Sequence, residues 1–234
     1  MFLEHISRPA GVDIYIRLTW MFVMFITFLI VLLGLLYLSM RRALERENKS
    51  LAFSNLAIEG METERRRIAR EFHDIILPQV RDEAVAMQIR AICMDLMPPD
   101  FSRLSLKDSL ADVCNKFIKR SGIECACFVQ EEVDFSHLGI TNQLHLYRIV
   151  QEALINIEKH SKAEKASLVI RSFVKDQSEG ILVCVSDDGA GISGEIRAGL
   201  GIQSMRQRAA ILGARLDFLS ESGNGLMVRI QIAK

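Results

Sequence analysis

The stretch 180–192, GILVCVSDDGAGI, carries five consecutive apolar positions, Ile181 to Val185, into two aspartates and then into Gly189, Ala190 and Gly191. A short apolar run stopped by turn residues reads as a buried strand with its end open to solvent. A carboxylate placed there can accept from an exocyclic amine, and glycines let the backbone approach a ligand closely. Working outward, ECACFVQ (124–130), KASLVIRSFV (165–174), RLDFLSE (215–221) and GLMVRIQI (225–232) read as further strands. They alternate with helical patterns at about 141–160 and 202–212, which predicts a two-layer α/β sandwich over residues 101–234.

The helix that precedes the strand at 165 reads LYRIVQEALINIEKH, Leu146 to His160. Leu146, Ile149, Val150, Ala153 and Ile157 share one face, while Glu152, Asn156 and His160 stack at i, i+4 and i+8 on another. An amide oxygen on a rigid helix suits Mg²⁺, which prefers oxygen ligands and is usually shared with substrate phosphates. Beyond the glycine turn, Gly199-Leu200-Gly201 opens a helix whose unpaired N–H groups and positive dipole end favour phosphate.

Together these segments resemble the N box and the two glycine boxes of the GHKL (Bergerat) ATP-binding fold, shared by histidine kinases, gyrase-type ATPases and some serine kinases. The resemblance implies that Asn156 ligates Mg²⁺, that Asp187 reads the adenine amine, and that Lys159 and His160 approach the phosphates of ATP. It also implies that Gly189, Gly191, Gly199 and Gly201 shape the pocket and a lid, short here because few residues separate Gly191 from Gly199. Glu152, Leu200, Gly223 and Gly225 complete the ATP-binding set; GNGL, Gly223 to Leu226, ends in leucine where relatives usually carry threonine.

Upstream, ERRRIAREFHD (Glu64 to Asp74) sets His73 beside Asp74 on a charged helix with a helical apolar repeat. With YRIVQEALINIEKHSKA it resembles the two-component sensor histidine kinases that partner with NarL/LuxR-type response regulators, over roughly residues 60–234. The implied chemistry is attack of a neutral His73 nitrogen on the γ-phosphate, with Asp74 orienting the ring or taking its proton, and Lys159 or Arg70 as a nearby cation. The phosphoryl group would pass to an aspartate of a separate receiver domain, none being present in this sequence. A catalytically impaired, nucleotide-binding homologue acting as a heterodimer partner is the alternative; a GHKL ATPase or serine kinase is a third class and leaves the His-Asp pair unexplained.

Pro78 should end or kink the His73 helix near a turn at 77–82. Val85, Ile89, Ile92 and Leu96 give a second apolar stripe, stopped by Pro98-Pro99. Two such hairpins from two chains would form a four-helix bundle, a homodimer with its histidines outward. Two departures from the family stand out: Pro78 occupies the place where relatives carry a glutamine for dephosphorylation, and the hairpin from His73 to Pro98 is much shorter than usual. A further helix is expected from Ser105, in the cap-like SLKD, to Gly122.

Before the hairpin, Leu44, Leu51 and Ile58, then Met61, Ile68 and Ile75, recur every seven residues and predict a coiled coil, with Glu47, Ser54 and Arg65 as imperfections. Leu18 to Met40 contains no formal charge and is long enough to span a bilayer once. Arg41, Arg42, Arg46 and Lys49 on its C-terminal flank, against Arg8 and Arg17 before it, place the C-terminal bulk in the cytoplasm, on a single-pass inner-membrane protein. The expected organisation is residues 1–17 extracytoplasmic and too short to bind a stimulus, 18–40 transmembrane, 41–62 linker helix, 63–100 shortened phosphotransfer hairpin, and 101–234 ATP-binding domain. Five cysteines lack metal or redox spacing and read as reduced, buried thiols. Zero net charge and the absence of a long basic tract argue against direct nucleic-acid binding.

Overall fold

The computed structural model of the protein describes residues 10–175, 178–192, 199–220 and 223–233, and the side chains among them other than those of 10–13, 43–44, 46–53, 175 and 178. The chain divides into two compact units, Met1–Ala52 and Phe53–Lys234. Helix α1, Ala10–Glu71, contributes to both.

In the first unit, Ile14–Arg42 is the one helical segment among the described residues that is long and apolar enough to cross a membrane, with a mean hydropathy of 2.8. Trp20, Met21, Phe25 and Tyr37 of this segment all lie open. The few hydroxyls satisfy themselves within the helix: Thr19 donates to the Tyr15 carbonyl at 2.8 Å and Ser39 to that of Leu36 at 2.8 Å. Such back-bonding removes the cost of polar groups in a hydrocarbon layer.

The second unit begins with the end of α1. Of the expected heptad positions, Leu44, Glu47 and Leu51 lie outside the described side chains; Ile58 is buried, Ile68 half-buried, and Met61 and Ile75 are exposed. After Glu71 the backbone passes into a π-helical turn, Phe72–Ile76, and a 3₁₀ turn, Leu77–Gln79, with Pro78 in its opening positions. Helix α2, Glu83–Leu96, folds back against these turns. Its start is capped by Asp82, whose carboxylate accepts from the amides of Ala84 at 2.8 Å and Val85 at 3.3 Å. The buried residues of α2 are the small Ala86 and Cys93; Val85 and Ile92, expected on the packed stripe, are 42% and 50% exposed. Ile89 and Leu96, the other members of that stripe, are half-buried.

Helix α3, Leu106–Ser121, is capped by Ser105, which accepts from the Asp108 amide at 3.1 Å, and ends on Gly122 at φ +73°. Strand β1 (Glu124–Val129), helix α4 (Ile140–Asn156), strands β2 (Lys165–Lys175) and β3 (Ser178–Asp187), helix α5 (Leu200–Ile211), and strands β4 (Arg215–Ser220) and β5 (Leu226–Ala233) follow. The sheet order is β1-β2-β3-β5-β4, parallel only between β1 and β2. Alternate residues of the central strands, Leu168 and Ile170, Val183 and Val185, Ile230 and Ile232, meet Leu110, Phe117, Leu146, Ile149 and Met205 of the helices in one core. This is the two-layer α/β sandwich expected from the alternation of strands and helices. The buried-thiol expectation holds for Cys93 and Cys114 but not for Cys127, which is exposed, nor for Cys125 and Cys184, which are half-buried. Cys125 and Cys127 sit on the edge strand β1, where only β2 provides a neighbour.

Candidate functional site

A cavity of about 520 Å³ opens where α4, α5 and the ends of β3 and β5 converge. Glu152, Asn156, Lys159, His160, Asp187, Gly191, Gly199, Leu200 and Gly201 all line it, from three separated segments of sequence. Gly189, Gly223 and Gly225 do not line it. They shape its wall instead: the Gly189 amide donates to Asp187 Oδ1 at 2.8 Å, and the Gly223 amide to the Ala190 carbonyl at 2.8 Å. Gly225 lies at φ +75°, and a Cβ there would run into the Asp187 carbonyl. The expected lid falls on residues 193–198, outside the described residues.

The polar helix face is not a continuous α-helical ladder. Helix α4 ends at Asn156 and a π-helical turn, Ile157–Ser161, takes over, closing on Lys162 at φ +55°. The wider turn still leaves Lys159 and His160 at the cavity edge. A π turn beside a polar cluster is a recurrent feature of functional sites. Opposite Asn156, Gly201 leaves room for Glu152, since any Cβ at 201 would collide with the Glu152 carboxylate.

The two aspartates of VSDD divide their work. Asp188 Oδ1 accepts from the amides of Glu164 and Lys165, each at 2.9 Å, which holds its carboxyl below the ordinary range and pins the start of β2 to the end of β3. Burial pushes the Asp187 carboxyl above its ordinary value, even though the amides of Gly189 and Leu226 donate to it. Asp187 is thus a half-desolvated acceptor at the cavity wall, suited to a neutral N–H donor.

Apart from Ser161, the rest of the lining is apolar: Ile157, Ile192, Ile202, Met205, Phe218, Leu226 and Val228. Their signal was the apolar spacing around the motifs. A largely apolar cavity with Asp187 on its wall and a polar, glycine-lined mouth that carries Glu152 and Asn156 fits a purine with its phosphates outward. Mg²⁺ also fits: an Asn156 amide and a Glu152 carboxylate offer oxygen to an ion that takes most of its ligands from phosphate and water.

His73 lies elsewhere, in the π-helical turn after α1, and does not line the cavity. Its Nδ1 is 2.9 Å from Asp74 Oδ1, and both side chains are largely exposed, at 65% and 69%. With Nδ1 engaged by the carboxylate, Nε2 is the nitrogen presented outward. Arg70, the cation on the same helix, donates to the Arg66 carbonyl at 3.3 Å.

Residues 141–234 match the family described as histidine kinase-, DNA gyrase B- and HSP90-like ATPases. The chain is 28% identical to the sensor histidine kinase MctS of Rhizobium johnstonii over 97% of this chain and 56% of that one. It is 26% identical to the sensor histidine kinase LiaS of Bacillus subtilis, over 72% and 54%, and 25% identical to the signal transduction histidine-protein kinase/phosphatase DegS of Brevibacillus brevis, over 81% and 56%. The chain therefore spans about half the length of the curated relatives it matches. Among solved structures, the histidine kinase domain of the Erythrobacter litoralis blue-light activated histidine kinase aligns at 21% identity with a TM-score of 0.49, covering 73% of this chain and 95% of that one.

Proposed function

We propose that the chain, whose residues 141–234 match the histidine kinase-, DNA gyrase B- and HSP90-like ATPases, is a membrane-anchored, ATP-dependent sensor histidine kinase whose phosphoacceptor is His73. The observation that carries this reading is the union in one chain of a purine-shaped cavity with an exposed His73 already hydrogen-bonded through Nδ1 to Asp74. A GHKL ATPase that does not phosphorylate histidine has no use for the second feature. The sensor kinases among the relatives support the same reading.

ATP enters with its adenine amine donating to Asp187 and its phosphates toward Gly199–Gly201, which line the cavity where α5 opens without a side-chain cap. Asn156, with Glu152 beside it, would hold Mg²⁺, which supplies charge neutralisation on the phosphates. Lys159 and His160 stand at the same mouth. The neutral imidazole of His73 attacks the γ-phosphorus through Nε2; a P–N bond forms, the P–O bond to ADP breaks, and ADP leaves with the electron pair. The positive charge arising on the ring is stabilised at Nδ1–H by Asp74, which receives that proton if it leaves.

The phosphohistidine then donates to an aspartate in the receiver domain of a response regulator, which we take to be of the NarL/LuxR type. The kinase works as a homodimer anchored by Ile14–Arg42 in the cytoplasmic membrane, with the catalytic part on the side of Arg41 and Arg42. Pro78, where a water-positioning glutamine would stand, leaves the regulator-dephosphorylating activity weak or absent.

The test uses the full chain in detergent micelles with γ-labelled ATP and Mg²⁺. Base-stable, acid-labile label that moves to a purified receiver–helix-turn-helix protein is expected. Acid-stable label, or ATP hydrolysis with no phosphoprotein, would overturn the reading.

A further inference from the structure

Glu62, three turns before His73 on α1, is 5% exposed and lies between two guanidinium groups that are buried as deeply. Its Oε2 is 2.9 Å from Arg148 Nη2 on α4, and its Oε1 is 2.7 Å from Arg208 Nη2 on α5. Arg148 has every N–H donor engaged: Nε with Glu62, Nη1 with the Asp95 carbonyl at 3.1 Å and Gln151 Oε1 at 2.7 Å, and Nη2 with Glu62 and the Leu96 carbonyl at 2.9 Å. Arg208 also approaches His145 Nδ1 at 3.4 Å and Ser204 Oγ at 3.4 Å. Burial and the neighbouring Arg208 depress the His145 pKa. Burial pushes the Glu62 carboxyl up, but Arg148 and Arg208 outweigh it and hold it below the ordinary range.

The placement of this node gives it meaning. Asp95 and Leu96 end the second arm of the hairpin, and Glu62 lies on the first, so Arg148 is clamped to both arms at their open end. Helices α4 and α5, which supply the two arginines, also supply Glu152, Asn156, Leu200 and Gly201 to the cavity. His73 lies toward the closed end, eleven residues on, or about 16 Å at the α-helical rise. We propose that Glu62 is a positioning residue that docks the nucleotide-binding domain at the open end of the hairpin, and that release of this contact precedes phosphoryl transfer to His73. This rests on the kinase reading above.

One carboxylate serving two buried guanidiniums leaves a cluster that tolerates no loss of its acid. Removing one partner of a buried ion pair strands an uncompensated charge. Arg148 meets Glu62, Asp95 and Leu96, and Arg208 meets Glu62, so undocking would leave both guanidiniums without those partners.

The experiment compares full-length wild type with Glu62→Gln and the conservative Glu62→Asp in detergent micelles. Three quantities are read: phenylglyoxal modification of Arg148 and Arg208 against exposed Arg103, affinity for a fluorescent ATP analogue, and the initial rate of phosphohistidine formation. In Glu62→Gln, modification of both arginines rises at least fivefold, analogue affinity stays within twofold, and the phosphorylation rate rises at least threefold; Glu62→Asp falls between the two. Unchanged modification, a slower rate with undocked arginines, or loss of analogue binding each overturns the proposal, the last because the node would then be part of the domain's fold. If none of the three proteins forms phosphohistidine while modification rises as stated, the docking role stands and the kinase reading falls.

Discussion

The α/β half and the helical hairpin treat their apolar side chains in opposite ways. In the former, Leu146, Ile149, Leu168, Ile170 and Ile230 are wholly buried around one core. In the latter, Phe72, Ile75, Ile76, Met87, Ile92 and Met94 are between 38% and 61% exposed. The first pattern belongs to a domain that can assemble a nucleotide cavity from one chain. The second belongs to a surface awaiting another, in keeping with a dimer of hairpins.

Truncation on the two sides should separate them most sharply. Leu146→Ala should cost about 2–5 kcal/mol in denaturant unfolding, as for other fully buried leucines. Ile92→Ala in dilute protein should change stability by no more than about 0.5 kcal/mol. An equal cost at both positions would break the contrast and mean that the hairpin is already packed in solution.

Glycines provide the next test. Gly225→Ala places a methyl against the Asp187 carbonyl at a left-handed φ. It should cost about 1–3 kcal/mol and weaken nucleotide binding at least tenfold by calorimetry. Gly60→Ala, on the exposed face of α1 with nothing within 4 Å, should instead stabilise the helix by about 0.5–1 kcal/mol.

A smaller effect concerns pH. Burial raises the Asp187 pKa, so this carboxyl picks up its proton at a higher pH than an ordinary aspartate. Since the ionised form is the better acceptor for adenine, affinity should be full well above that pKa and decline as pH falls through it. Binding isotherms for Asp187→Asn should lack this inflection; an inflection that persists would assign it to another group.

The strands and helices of the α/β half were legible because their periodicities are uninterrupted and their turns carry glycine or serine caps, as at Ser105 and Gly122. The cavity was legible because Asn156, Asp187 and the Gly199–Gly201 turn are local motifs. What escaped was non-local or sub-periodic. The π turns after Glu71 and Asn156 insert one residue per turn without any sequence mark. Arg148 and Gln151 stand three apart beside the apolar stripe of α4, a hint of a buried polar partner, but Glu62 lies 86 residues upstream, next to Met61 of the expected coiled-coil seam, with no local mark of that partner. The outward stripe of α2 was visible, yet no single chain reveals what covers it.

The most direct test of the account is acid-labile label from γ-labelled ATP on the full chain, beside His73→Gln and Asn156→Ala, with nucleotide binding measured on the same samples. The account predicts that His73→Gln binds nucleotide as wild type does and takes no label, while Asn156→Ala retains its histidine and also takes none. Label that persists in His73→Gln would contradict it.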